Sequence, residues 1–132
     1  MNNHLNDTQI HQLQELLESR YRSLWEEIGA ELKDADKEHF LKLAGEVHDM
    51  EDESIAVFLT DLNTTMVDRH VQETRDINSA LNRIHGGTFG VCKECGGSIG
   101  YERLLAYPTA NRCVRCQNVY EKTHAGNRSV KL

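Results

Sequence analysis

The chain has 132 residues with 15 Lys and Arg against 21 Asp and Glu, a net charge of −6, and only 6% aromatic residues. That length suits a single domain, and the acidic balance works against a duplex-DNA coat, which needs a dense cationic face. The first residues, Met1-Asn2-Asn3-His4-Leu5, lack a charged stretch followed by an apolar one, so no export is expected and the setting is read as cytoplasmic, without a membrane.

In chain order, the first element is a long helix. Ile10, Leu13, Leu17, Tyr21, Leu24, Ile28 and Leu32 recur at three- and four-residue steps and define one apolar stripe. Asn6, Asp7 or Thr8 can cap its start, and Trp25 is expected to pack against a terminal segment. A turn follows between Asp34 and Glu53, with Gly45 its only glycine, although Phe40, Leu43 and Val47 could extend the first helix. Glu46, Asp49, Glu51, Asp52 and Glu53 crowd five carboxylates into eight residues of that turn. On composition alone such a run is a solvated turn or a helix start, where acids suit the helix dipole.

A second stripe runs Ile55, Phe58, Leu62, Met66 and resumes at Ile77, Leu81, Ile84, with a polar stretch between that holds His70 and Glu73. Arg69 on this helix reads as an exposed arginine paired with Asp68 or Glu73. Gly86-Gly87 ends the helix. Neither segment alternates with period two, and no proline occurs before Pro108. Two helices of about thirty residues would each run roughly 45 Å, too long for a compact globule, so they are expected to pair as an antiparallel coiled-coil hairpin.

The four cysteines form two pairs, Cys92-x2-Cys95 and Cys113-x2-Cys116. Each pair lets two thiolates reach one metal from a tight knuckle, and two knuckles close a tetrahedral site with no open position. Disulfides would need an oxidising compartment, and a redox pair would need a thioredoxin-like pattern that is absent. The reading is therefore one structural zinc on Cys92, Cys95, Cys113 and Cys116, which holds the module folded and does no chemistry. The seven histidines are scattered and are not read as ligands, with His85 the best neighbour for the site.

The expected fold is mainly α, with residues 1–84 a hairpin whose acidic tip lies near 46–54. A zinc-finger module at the hairpin's base spans 85–120, and a tail with a short C-terminal helix spans 121–132. Residues 1–84 hold 8 Lys and Arg against 18 Asp and Glu, and residues 85–132 hold 7 against 3. The basic residues near the cluster can offset the double negative charge of zinc on four thiolates, so direct sequence-specific DNA binding is not expected.

Residues Gly87-Thr88-Phe89-Gly90-Val91-Cys92-Lys93-Glu94-Cys95-Gly96-Gly97-Ser98-Ile99, the run Arg103-Leu104-Leu105-Ala106-Tyr107-Pro108-Thr109-Ala110, and Cys113-Val114-Arg115-Cys116 together resemble the zinc finger of the DksA/TraR family. With the acidic hairpin ahead of it, the resemblance extends over about residues 7 to 118. It implies a monomeric, non-enzymatic regulator that binds bacterial RNA polymerase and puts its coiled-coil tip into the secondary channel, altering open complexes. The family's tip pattern D-x-x-D-x-A meets Asp49, Asp52 and Ser54 here, so both acids match and the alanine does not. The Ser54 hydroxyl is expected to favour local backbone bonds. Arg69 matches a basic family position that resembles a contact to the channel rim.

Family members that respond to guanosine tetraphosphate hold it with basic side chains, and the corresponding positions here are Asp76, Tyr107 and Gln117. None is a cation, so weak or no dependence on that nucleotide is expected. Two other functions stay open at this point. Asp49 and Asp52 could hold a second magnesium and promote transcript cleavage, or the finger could be an adaptor for another protein.

Overall fold

The computed structural model describes residues 4–46, 52–62 and 65–124, without the side chains of Thr65 and Met66. Its helices are α1 (Asp7–Glu31), α2 (Asp34–Glu46), α3 (Glu53–Leu62), α4 (Thr65–Gly86), α5 (Tyr101–Ala106) and α6 (Val114–Thr123). The only β pairing among the described residues is an isolated antiparallel bridge between Val91 and Ser98. The mainly α class expected from periodicity is the observed one. The chain divides into two compact units, residues 18–79 and residues 1–17 with 80–132.

In the first of these, the first helix ends close to the last residue of its stripe, and the segment expected to be a turn holds a separate helix, α2. Leu32 N–H closes back on Gly29 O at 3.3 Å, and Asp34 sits at φ 50°, a left-handed conformation that aspartate tolerates better than most residues. Helix α2 then starts on Asp34 and Asp36, acids that favour a helix N-terminus. The core of this unit is Ile28, Leu32, Phe40, Ile55, Leu59 and Val67, all below 8% exposed. Trp25 lies against Phe40 at 5.7 Å between ring centroids and edge-on to Tyr21 at 6.2 Å, packed on the edge of this core. Phe40 also lies 3.6 Å from where a Cβ on Gly29 would stand, so it packs down on the α1 backbone.

The polar stretch that interrupts the second stripe faces α1. Arg20 on α1 donates from Nε to Glu73 Oε2 at 2.7 Å, from a terminal nitrogen to Glu73 Oε1 at 2.9 Å, and from the other to Glu27 Oε2 at 2.6 Å. His70 on α4 places Nδ1 2.8 Å from Glu31 Oε1 and Nε2 3.6 Å from Glu27 Oε1. As the residue number rises on α1 it falls on α4, so within this unit the two helices run antiparallel. The two-pronged contact of Arg20 with Glu73 fixes their register, because a slip of either helix by one residue would break both prongs.

In the other unit, Asn6 Oδ1 accepts from Gln9 N–H at 2.8 Å while Gln9 Oε1 accepts from Asn6 N–H at 3.1 Å, a reciprocal cap at the start of α1. Gln12 on α1 accepts a hydrogen bond from the Tyr101 hydroxyl on α5. Leu13, Leu17, Ala80, Phe89, Ile99 and Leu104 are its buried apolar residues. No described helix is long and apolar enough to cross a membrane.

The Arg20 contact makes stability depend on pH. Its hydrogen bond to Arg20 is the chief reason that Glu73 is held below the usual carboxylate value of 4.5. A depressed carboxylate adds stability that is fully present above pH 4.5 and is lost as pH falls through the lower folded value. Both side chains are about 40% exposed, so solvent screening limits the pair to about 1 kcal/mol. Arg20→Met should therefore lower the urea-derived unfolding free energy by about 1 kcal/mol at pH 7 and by less at pH 3.

Candidate functional site

The cysteine centre begins where α4 stops. Gly87 at φ 80° turns the chain out of the helix, its N–H bonding Ile84 O at 3.3 Å while Thr88 N–H bonds Arg83 O at 2.9 Å. This pair of bonds is the glycine helix stop that Gly86-Gly87 announced. The chain then folds back on itself through Ile99 N–H to Gly90 O at 2.8 Å and Cys92 N–H to Gly97 O at 2.8 Å. Inside that loop Gly96, at φ 74°, lets its N–H reach Cys92 O at 3.0 Å, and Gly97 N–H points at the Cys95 sulfur at 3.4 Å. The second knuckle is built on a helix start, with Cys113 as the N-cap of α6 and Cys116 in its first turn. Lys93 N–H to Asn111 O at 2.9 Å ties one knuckle to the other.

These turns bring the four sulfurs of Cys92, Cys95, Cys113 and Cys116 within 4.8 Å of one another. Cys95 and Cys113 are 3.9 Å apart, against an edge of ~3.8 Å for a tetrahedron whose zinc–sulfur arms are ~2.3 Å. The electrostatics also call for a cation. Burial pushes the Cys92 thiol up, but N–H groups of Cys95, Cys113 and Glu94 outweigh it and bring the value down to about 6. Cys116, facing the Cys113 sulfur first and then its own desolvation and the sulfurs of Cys92 and Cys95, is pushed up to about 12. Four thiolates cannot share this volume unless a metal neutralises them, and the all-sulfur, closed donor set fits one structural zinc.

Cations gather around the sulfurs. Arg115 is held more firmly protonated by its hydrogen bond to Cys95 and by the neighbouring charges of Cys116, Cys95 and Cys113. Arg112 donates to Glu94 at 3.3 Å and lies over the Tyr120 ring at 3.9 Å, while its carbonyl accepts from Arg103 Nε at 3.0 Å. His85 is exposed at the end of α4 and makes no described contact with a cysteine.

Of the tip positions, Asp49 lies outside the described residues. Asp52 immediately precedes α3 and caps it, its Oδ1 accepting from Ser54 N–H at 3.0 Å while its carbonyl accepts from Ala56 N–H at 2.9 Å. The Ser54 hydroxyl also donates to that same Oδ1, at 2.6 Å. Ser54 therefore bonds a side chain and not the backbone expected for its hydroxyl. A serine two residues after an aspartate at a helix start was the sequence signal for this contact. Arg69 is exposed on α4 and has no ion pair among the described residues, since Glu73 is taken by Arg20.

The positions compared with a nucleotide-binding set are also engaged locally. Gln72 donates to Asp76 at 3.0 Å, Gln117 donates to Glu121 at 2.9 Å, and the Arg103 guanidinium lies over the Tyr107 ring at 5.6 Å.

Residues 87–122 match the model of the prokaryotic DksA/TraR C4-type zinc finger. Those residues form a DksA/TraR-type four-cysteine zinc finger. It is 41% identical over 59 residues to general stress protein 16O of Bacillus subtilis, covering 45% of this chain and 35% of that protein. It is 27% identical over 118 residues to the RNA polymerase-binding transcription factor DksA of Salmonella typhimurium, covering 89% of this chain and 75% of that one. The chain thus spans about a third of the Bacillus relative and three quarters of the Salmonella one. In fold it is similar to the transcription factor DksA2 of Pseudomonas aeruginosa, with a TM-score of 0.57 at 22% identity over 91% of this chain and 88% of that one.

The zinc finger type sets a direct check. The purified protein should contain one zinc per chain by atomic absorption, and Cys92→Ser should lose both the metal and the protease resistance of residues 87–122, because ligand loss removes folding free energy. Chelation of the wild-type protein should reproduce the same loss reversibly.

Proposed function

We propose that this protein is a cytoplasmic transcription regulator that binds bacterial RNA polymerase and presents its acidic α2–α3 end to the secondary channel, altering open-complex stability. The observation that carries the reading is Asp52, a partly exposed acid held at the start of α3 in a run of five carboxylates, in a chain with a DksA/TraR-type finger. The name of the Salmonella relative, similar over 89% of this chain, supports polymerase as the partner. Negative charge on a helix hairpin suits a cation-rich, metal-containing centre, and it suits DNA poorly.

In this reading Asp49 and Asp52 are the working acids, Arg69 is a contact at the channel rim, and the finger with its zinc is structural. The protein acts as a monomer and catalyses no reaction itself. It needs guanosine tetraphosphate weakly or not at all, because Asp76, Tyr107 and Gln117 offer no cation and Asp76 would repel phosphate.

Binding of the zinc-loaded protein to core RNA polymerase, competed by a known secondary-channel factor, tests the reading. Competed binding is expected, and its absence would overturn the proposal. Asp52→Asn keeps the α3 cap, since asparagine caps as well as aspartate. That variant should therefore bind polymerase with nearly wild-type affinity while losing its effect on a responsive promoter. Addition of guanosine tetraphosphate should change the wild-type effect by less than about twofold.

A further inference from the structure

We propose that Ser54 is a positioning residue for Asp52: its hydroxyl, together with its backbone N–H, fastens one carboxylate oxygen so that the other is presented in a fixed direction at the end of α3. This inference rests on the function proposed above.

The geometry is specific. Both Ser54 donors converge on Oδ1, the hydroxyl at 2.6 Å and the N–H at 3.0 Å. Oδ2 has no partner among the described residues and is the oxygen left to face a cation. An alanine at 54 would keep the N–H and hence the helix cap, and would lose only the hydroxyl. A carboxylate on one donor turns about its cap bond, whereas one on two donors keeps its direction, and a preorganised charge loses less freedom when it meets its target. The hydroxyl, first, and the N–H, second, also hold Asp52 below the usual carboxylate value. The charged and titratable groups on the elements around it are Glu53 and Asp61 on α3, and Asp34, Asp36, Lys37, Glu38, His39, Lys42 and Glu46 on α2, the helix that packs against α3.

The test compares wild type with Ser54→Ala and Ser54→Thr. In the free protein, NMR titration of the Asp52 carboxyl should show a higher midpoint in Ser54→Ala and a return toward wild type in Ser54→Thr. With core polymerase, all three should bind alike. At equal occupancy Ser54→Ala should lose about threefold of the promoter effect, the worth of one hydrogen bond, and lose the rest at a higher pH than wild type; threonine should restore both. Equal titration and equal promoter effects in serine and alanine proteins would overturn the inference, as would a threonine that behaves like alanine. A wild type that fails to bind polymerase would overturn the proposed function, while the titration alone would still decide whether Ser54 holds Asp52.

Discussion

Mutual repulsion among four sulfurs is the constraint on which residues 87–122 depend. The segment has few apolar residues to bury, with Phe89, Cys92, Ile99 and Leu104 the buried ones, which is far short of a self-sufficient core. Its turns are held by single backbone bonds and by glycines in left-handed conformations. Such a loop costs conformational entropy that only a metal bridging both knuckles can offset. The sulfur positions therefore explain the backbone as much as the backbone explains them. Arg115 fits the same logic, since a cation against Cys95 tempers the charge that remains on a zinc with four thiolates.

The unit of residues 18–79 solves a different problem. One apolar cluster there is Ile28, Leu32, Phe40, Ile55, Leu59 and Val67, with Trp25 and Phe58 at its edge, and Leu24 and Ile77 are buried as well. Beside these apolar residues α1 and α4 also share a polar seam of Arg20, Glu27, Glu31, His70 and Glu73. Apolar contacts alone tolerate sliding, because one leucine fits a groove about as well as the next. A planar guanidinium gripping Glu73 by two edges does not, and this gives the polar seam its role in register even where its net energy is small.

Much of this was legible in the sequence because its signals are local. Cys-x2-Cys spacing, the Gly86-Gly87 stop and the two apolar stripes each state a geometry within a few residues, and each appears in the structure. What was not legible depends on pairs distant in sequence. Arg20 and Glu73 are 53 residues apart, and the polar gap in the second stripe read only as a gap until α1 was placed beside it. Helix α2, inside the segment Asp34–Glu53 read as a turn, was missed for another reason. Phe40, Leu43 and Val47 were read only as a possible extension of the first helix, while the signal for a separate one, Asp34 and Asp36 as a helix start, was weak.

The acids of this protein divide by what they do with their charge. Glu27, Glu31 and Glu73 spend it on Arg20 and His70 in the seam between helices, where it fixes register. Asp52 spends one oxygen on the backbone and hydroxyl of Ser54 and keeps the other, so its cap anchors a charge without neutralising it. A cation in the same place would have cancelled the charge, and a fully solvated side chain would have left it without direction. Hydrogen-bond donors with no net charge hold a carboxylate still while leaving it negative, which is the property an acid must have if it is to act on a cation outside its own chain.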